Sequence, residues 1–227
     1  MTTKKDEAIN SILSDFEEFA NTVLTQLDLL EKFVSSGEVN FPEKHVKEMY
    51  SNEKKLDKLE VKISDKIVNT IVLYQPVASE IRKVIACYRI ILNLERVGDM
   101  VINILNFIHN VKAPEIYDEL SDLISNMLIS SSSMVNKALL AFTNDDKEYA
   151  IWTIKNDSVF SENNKKLLKK AIKKSSGGNE EKQILMSFIN MNAVLSNIER
   201  IADHATNIAE AAIYSIEGKD IRHKKID

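Results

Sequence analysis

The sequence predicts an all-α protein made of two tandem, pseudo-symmetric three-helix bundles, with six long helices in all. Apolar residues recur every three or four positions over long stretches, and no stretch of useful length alternates as a β-strand does. Only five glycines and three prolines occur in 227 residues, which is typical of a helical chain. A repeated motif, described below, predicts the division into two related halves.

The first half, residues 1–112, contains three predicted helices with an apolar stripe along each. Gly37 ends the first helix, because glycine readily takes the left-handed conformation found at helix ends. Pro42 suits the first turn of the second helix, and Pro76 interrupts the chain after it. The three helices are expected at about residues 5–36, 42–74 and 77–111.

The second half, residues 113–227, repeats this plan. Pro114 marks the start of its first helix, and the turn at residues 143–146 separates that helix from its second. The clearest loop in the chain is Ser-Ser-Gly-Gly-Asn at residues 175–179. Four serines at residues 130–133 are flanked by apolar residues, so we expect no break there. The helices are expected at about residues 114–142, 146–174 and 180–217.

Composition excludes several classes of protein. The net charge of −4 argues against nucleic acid as the main partner, since phosphate-binding surfaces carry a basic excess. Cys87 is the only cysteine and lies in an apolar helical run, so we expect a buried, inert thiol. The sequence shows no signal peptide and no run of 18 apolar residues. We therefore expect a cytoplasmic protein that approaches membranes only through partner proteins.

One motif occurs twice at a constant spacing along the chain. Asn-Leu-Glu-Arg-Val-Gly-Asp at residues 93–99 returns as Asn-Ile-Glu-Arg-Ile-Ala-Asp at residues 197–203. Asn103 and Asn207 keep the same register. A repeat that keeps charged residues in step is more informative than one that keeps only leucines, because any amphipathic helix matches leucines by accident.

The first copy places Glu95, Asp99 and Asn103 on one face of the third helix. We expect this face to continue an apolar stripe, so both carboxylates should be partly buried. Two such carboxylates one turn apart repel each other and need a proton, an arginine or a cation as compensation. The apolar stripe consists of Ile81, Ile85, Tyr88 and Leu92.

Further acids lie on neighbouring helices. Antiparallel packing of the second and third helices would bring two acidic rows to one site. Oxygen-rich clusters of four or more carboxylates suit Mg, Ca, Mn or Fe ions, and Arg96 and Arg200 are placed to orient carboxylates or to meet an anion. The alternative is that the acids are ordinary surface charges. The acidic rows are Glu53, Asp57 and Glu60 on the second helix, Asp157, Ser161 and Glu162 on the fifth, and Glu199 and Asp203 on the sixth.

Other chemistry has little support in the sequence. The Glu-x-x-His pattern of di-iron helix bundles is missing, as are phosphate-binding and dinucleotide glycine loops and a Gly-x-Ser-x-Gly motif. The isolated His45, His109 and His223 are expected at the surface. His204 adjoins Asp203 but points about 100° away around the helix, so we do not count it among the metal ligands.

The paired motif resembles the twin signature of the PhoU family of phosphate-uptake regulators. Gln-Pro-Val-Ala-Ser-Glu-Ile-Arg at residues 75–82 also resembles the family segment Gln-Pro-x-Ala-x-Asp-Leu-Arg, with Glu80 in place of the usual Asp. The resemblance implies two similar three-helix bundles, each holding a multinuclear metal cluster between two acidic motifs. It leaves the metal open among Fe, Zn, Mn, Mg and Ca.

Carried onto this chain, the implied ligands form two unequal sites. In the second, Ser161 stands at an acidic position of the family pattern and Ala202 replaces the glycine found at Gly98, so we expect weaker metal binding there. The implied metal ligands are Glu53, Asp57, Glu95 and Asp99 in the first site and Asp157, Glu199 and Asp203 in the second.

The resemblance also implies a non-enzymatic adaptor. It would link the ATPase of an ABC phosphate transporter to a sensor histidine kinase, act as a negative regulator of the phosphate-starvation response, and leave a homodimer open. Two alternatives remain at this point. One is a metal-dependent helical-bundle enzyme, a phosphoester hydrolase or an oxidase, and the other is a purely structural helical interaction module.

Overall fold

The computed structural model describes residues 3–156 and 179–222, with side chains described from residue 182 in the second range. These residues form helices joined by short connections, and they include no strand. The predicted all-α fold class is therefore confirmed. The helices are α1 (Lys4–Ser36), α2 (Glu43–Tyr74), α3 (Ser79–His109), α4 (Pro114–Thr143), α5 (Lys147–Asn156) and α6 (Asn179–Glu217).

Local sequence explains several helix ends. Thr3 caps α1: its hydroxyl accepts a hydrogen bond from the Asp6 N–H, and the Asp6 carboxylate accepts one from the Thr3 N–H. Gly37 and Gly218 end α1 and α6 with φ angles of 72° and 69°, a left-handed conformation that glycine adopts without strain. The helix ends predicted at Gly37 and at about residue 217 are confirmed.

Two boundaries differ from the prediction. The chain between α2 and α3 does not become helical at residue 77, because Gln75 and Ala78 have positive φ angles of 45° and 43°. Pro42 precedes α2 as its cap residue and is not part of its first turn. The four serines at residues 130–133 lie within α4, as predicted. Most of the predicted fifth helix and of the loop at residues 175–179 lies outside the described residues.

The hydrophobic core is continuous between the two halves. α1 packs against α2 and α3, α6 packs against α3, α4 and α5, and α1 also contacts α4. The rings of Phe16 on α1 and Phe142 on α4 meet edge to face, with their centroids 5.1 Å apart. Cys87 is fully buried as predicted, and burial raises the pKa of its thiol to about 12.

The central helices α3 and α6 run antiparallel. Asn190 near the start of α6 donates a hydrogen bond to the Asn110 carbonyl just beyond the end of α3, at 3.0 Å. At the other end, Gly218 lies against the Arg82 side chain of the first turn of α3. Antiparallel packing of two helices that carry the same motif relates the halves by an approximate two-fold rotation.

A buried serine fixes the connection between the halves. The Ser187 hydroxyl on α6 accepts hydrogen bonds from the backbone N–H groups of Lys112 and Ala113, both at 3.0 Å. These two N–H groups precede α4 and have no partner within a helix. Across the described ranges, no helix is both long enough and apolar enough to cross a lipid bilayer.

Candidate metal centre

The antiparallel packing of α2 and α3 brings their acidic rows together. The carboxyl group of Glu53 lies within hydrogen-bonding reach of Asp99, and the charges of Asp57 and Glu60 act on Glu95. The acidic rows of α2 and α3 therefore face each other, whereas metal binding by these residues stays a prediction. Glu53, Glu95 and Asp99 are half-buried, whereas Asp57 is exposed at the rim.

Glu53 is the most perturbed carboxyl group of this cluster. Burial and the neighbouring carboxylates of Asp99 and Asp57 raise its pKa to about 7. Its Oε2 atom is buried, and no hydrogen-bond donor in the described residues reaches it. Two ionised carboxylates in contact are both acceptors, so this pair needs a proton or a cation between its oxygens.

Gly98 provides the space beside Glu53. A Cβ atom at this position would lie 3.0 Å from the Leu56 side chain and 3.1 Å from Glu53 Oε2. Any larger residue would therefore push the carboxylate away from its present place. The first half carries glycine at this position, whereas the equivalent residue of the second half is the buried Ala202.

Gln26 on α1 also lies beside Gly98 and Glu53, and it was not predicted from the sequence. Its side chain is fully buried, its Nε2 donates to the Met49 carbonyl at 3.0 Å, and its Oε1 lies 3.6 Å from the Cβ position of Gly98. No donor in the described chain reaches that Oε1 atom. The available signal was a polar residue inside an apolar stripe, between Val23 and Leu27.

Arg96 compensates part of the negative charge, as its position in the motif suggested. Its Nε lies 3.3 Å from Glu95 Oε2, and its Nη1 donates to Asp99 Oδ2 at 3.1 Å. Burial and the charge of Asp99 still raise the pKa of Glu95, because they outweigh the guanidinium. Arg96 therefore holds both carboxylates in place without neutralising the cluster.

The predicted apolar stripe on α3 is only partly correct. Tyr88 and Leu92 are 37% and 39% exposed, and Asn103 is exposed as well. The face that carries Glu95 and Asp99 therefore lies along the rim of the groove between α2 and α3. Spacing along a helix identifies which residues share a face, but the neighbouring helix decides how much of that face is covered.

The second predicted site is only partly within the described residues. Glu199 on α6 is half-buried and Asp203 is exposed, which matches their counterparts in α3 approximately. Asp157 and Ser161, on the predicted fifth helix, lie outside the described residues. The comparison between the two sites therefore stays a prediction.

The first site suits a hard cation in its chemistry and its space. It offers oxygen ligands only, one of them buried without a donor, and the missing Cβ of Gly98 leaves room beside that oxygen. In the side-chain positions of this structure, no three His, Cys, Asp or Glu residues among those described are gathered closely enough to enclose an ion. A bound ion would therefore draw Glu53, Asp57, Glu95 and Asp99 closer together.

His204 takes part in a contact between the halves that the sequence did not suggest. Its Nδ1 lies 2.9 Å from Asn93 Oδ1, while Asn93 Nδ2 donates to the Arg89 carbonyl one turn earlier. The Asn93 oxygen is an acceptor, so the Nδ1 atom of His204 carries the proton. Burial, with the charges of Arg200 and Arg96, lowers the pKa of the ring and keeps it neutral.

Comparison with known proteins places these features in a family. The sequence model of the PhoU domain matches the chain twice, at residues 16–108 and 124–212. The chain belongs to the PhoU family. Each matched range contains one copy of the repeated motif, at residues 93–99 and 197–203.

Curated PhoU relatives cover most of the chain. A Burkholderia protein named phosphate-specific transport system accessory protein PhoU homolog is 30% identical, over 76% of this chain and 73% of its own length. A Thermotoga maritima protein, named as homolog 1 of the same accessory protein, is 26% identical over 74% of this chain and 71% of its own.

Solved PhoU structures share the fold. The crystal structure of PhoU from Pseudomonas aeruginosa superposes with a TM-score of 0.75 at 19% identity, covering 94% of this chain and 99% of that one. The phosphate transport system regulatory protein PhoU from Streptococcus pneumoniae gives a TM-score of 0.72 at 19% identity, covering 96% and 99%. The PhoU fold is thereby established for both halves.

Proposed function

We propose that this PhoU-family chain regulates phosphate transport, limiting uptake and repressing the phosphate-starvation response when phosphate is plentiful. The observation that carries the proposal is the double match to the PhoU domain. The names of the relatives support it, because they are accessory proteins of phosphate-specific transport systems.

The proposed partners are the ATPase of an ABC phosphate transporter and a sensor histidine kinase. The description of the relatives as transport accessory proteins supports the transporter as one partner. Both partners expose domains to the cytoplasm, so the protein would act there, as a monomer or a homodimer and without nucleic acid. It would reach the membrane only through these partners.

The proposed regulator binds a multinuclear metal cluster at its first site, through Glu53, Asp57, Glu95 and Asp99. The donor-free oxygen of Glu53 beside Asp99 and Gly98 supports this site. Asp157, Glu199 and Asp203 are the proposed ligands of the second site. A bound cation would supply positive charge between α2 and α3, which otherwise hold several carboxylates in contact.

Deleting the gene in its own host tests the regulatory function. We expect higher phosphate uptake and an active phosphate-starvation reporter in phosphate-rich medium, with both restored by the wild-type gene. If deletion leaves uptake and the reporter unchanged, the chain does not have this role. For the metal analysis that follows, Glu115→Gln with Asp122→Asn on α4 is a matched control, because it removes two exposed carboxylates away from the cluster.

Metal analysis tests the site independently of the cell. We expect protein purified without chelators to carry metal, and Glu53→Gln with Asp99→Asn to lose most of the metal of the first site. Equal metal content in this variant and in the α4 control variant would contradict the assignment of the ligands.

We also propose that the chain is not an enzyme. The relatives are named for accessory and regulatory roles. Among the described residues, the His204 ring donates its Nδ1 proton to Asn93 across the interface of α3 and α6, so it does not serve as a base for the acidic cluster. Turnover of a phosphoester with added Mn, lost in Glu53→Gln with Asp99→Asn, would instead favour a hydrolase.

A further inference from the structure

An exposed row of apolar side chains continues from the acidic cluster along α2 and α3. Val61, Val68 and Val72 on α2 are 57%, 57% and 67% exposed, and Tyr88 and Leu92 on α3 also face solvent. We call these five residues the apolar groove. Scattered apolar residues on a surface are ordinary, but a contiguous set marks an interaction site.

Helical spacing places these five residues on neighbouring faces of α2 and α3. On α2, the three valines follow Asp57 at multiples of about one turn, so they share its face. On α3, Leu92 and Tyr88 precede Asp99 in the same way. Because α2 and α3 are antiparallel and their acids meet, both apolar rows run side by side away from the acidic cluster.

The groove has the length of a helix of about four turns. Asp57 and Val72 are separated by about 22 Å at 1.5 Å per residue. Beyond Val72, the turn between α2 and α3 exposes Leu73 and Val77, and it is held by left-handed conformations at the non-glycine residues Gln75 and Ala78.

Charge complementarity identifies the kind of partner. The acidic end of the groove carries five carboxylates, and Arg96, Lys54 and Lys58 supply only three positive charges beside them. A ligand that covers both parts needs apolar side chains at helical spacing together with an excess of lysine or arginine. The five carboxylates belong to Glu53, Asp57, Glu60, Glu95 and Asp99.

We infer that the apolar groove and its acidic end form a docking site for a basic amphipathic helix of a partner protein. The apolar face of that helix lies on Val68, Val72 and Tyr88, and its basic residues meet the carboxylates. This proposal rests on the proposed function only in that the protein acts by binding other proteins. Its acidic end coincides with the proposed metal ligands, so the helix docks on the metal-free protein and a bound ion competes with it.

A second copy of this chain fits the groove less well. In a two-fold symmetric dimer each copy contributes the same patch, so the interface would hold the acidic end of both molecules. Ten carboxylates in one interface repel each other and lose hydration. A basic helix instead brings positive charges, which compensate the carboxylates for the water that they lose on binding.

Binding of synthetic peptides tests the proposal. The probe is an 18-residue fluorescent peptide of leucine and lysine, with leucines spaced for one face of a helix. A peptide of the same pattern with glutamate in place of lysine is the charge control. Anisotropy is measured in chelator, so that metal binding by the carboxylates does not enter. We expect the lysine peptide to bind and the glutamate peptide to bind at least about tenfold more weakly.

Two protein variants locate the binding. Val68→Ser with Val72→Ser should weaken the lysine peptide by about tenfold or more, whereas Ile129→Ser, at an exposed apolar position on α4, should leave it unchanged. Circular dichroism confirms that both variants fold, as expected for exposed sites. Equal affinity for both variants, or equal binding of both peptides, would overturn the proposal.

Analytical ultracentrifugation addresses the competing occupant. Self-association that disappears in Val68→Ser with Val72→Ser would assign the groove to a second copy and refute the partner helix. Unchanged sedimentation supports the proposal. The peptide readout does not depend on phosphate regulation, so a failure here is distinguishable from a failure of the proposed function.

Discussion

His204 Nδ1 on α6 lies 2.9 Å from Asn93 Oδ1 on α3 and joins the central helices of the two halves. The repeat places Asn197 opposite to Asn93 in the other half, and Asn197 Nδ2 donates to the Ala193 carbonyl just as Asn93 Nδ2 donates to that of Arg89. Asn197 Oδ1, however, is buried, and no donor in the described chain reaches it. The two equivalent asparagines should therefore contribute differently to the stability of the fold.

Replacing each asparagine with leucine should separate the two cases. Asn93→Leu leaves the half-buried ring N–H of His204 without an acceptor, so we expect a loss of about 1 kcal/mol in the free energy of unfolding. Asn197→Leu removes a buried acceptor that has no donor, so we expect little change or a small gain. Urea denaturation measures both. Equal losses in the two variants would contradict the difference described.

Gly98→Ala should weaken metal binding while leaving the stability of the fold almost unchanged. Alanine favours a helix over glycine by about 1 kcal/mol, but its Cβ meets the side chains of Leu56 and Glu53. Because both are flexible side-chain ends, we expect the unfolding free energy to change by less than about 1 kcal/mol. The displaced Glu53 carboxylate should weaken metal binding clearly, as titration calorimetry would show. Unchanged metal affinity would mean that Glu53 is not a ligand.

Glu53→Gln should stabilise the metal-free protein while abolishing its metal response. The variant removes a half-buried charge next to Asp99 and supplies an amide donor for that carboxylate. We expect a gain of about 1 kcal/mol at pH 8 in chelator, after allowance for solvent screening. Added Mn should raise the melting temperature of the wild type but not of the variant. Loss of stability in Glu53→Gln without metal would show that the ionised carboxylate is satisfied.

Asp15 should make the stability of the protein depend on acidic pH. Burial alone would raise its pKa, but the ammonium groups of Lys66 and Lys62, at 2.6 and 3.0 Å, lower it below the usual value. A lowered folded-state pKa contributes stability that is present above about pH 4 and is lost as the pH falls through the folded-state pKa.

The variant Asp15→Asn tests this pair. It should be less stable than the wild type by about 0.5–1 kcal/mol at pH 7, and the difference should shrink below pH 4. Thermal melts from pH 7 to pH 2 measure it. The exposed Asp122→Asn is the control, and an identical pH profile for both variants would count against the interaction.

The sequence predicted the helices and the first acidic pair because both depend on local spacing. The apolar stripes, Gly37 and Pro114 act within a few residues, and the antiparallel arrangement of α2 and α3 follows from their short connection. The start of α3 was predicted two residues early, since nothing in the identities of Gln75 and Ala78 announces positive φ angles.

The contacts of Gln26 and His204 were not predictable from local pattern. Gln26 reaches Met49 across α1 and α2, and His204 reaches Asn93 across 111 residues of sequence. A polar residue in an apolar stripe indicates that a buried partner exists, but the tertiary packing determines which one. The exposure of Tyr88 and Leu92 depends in the same way on how far α2 covers α3.

The antiparallel packing of α3 against α6 makes the duplicated halves one cooperative unit. Each central helix buries a flank on the other, and Ser187 of the second half holds the backbone that leaves the first. Neither half therefore encloses a complete hydrophobic core by itself, although each carries a full copy of the motif. The repeat is a symmetry of the sequence, and we expect the two halves to unfold and refold together.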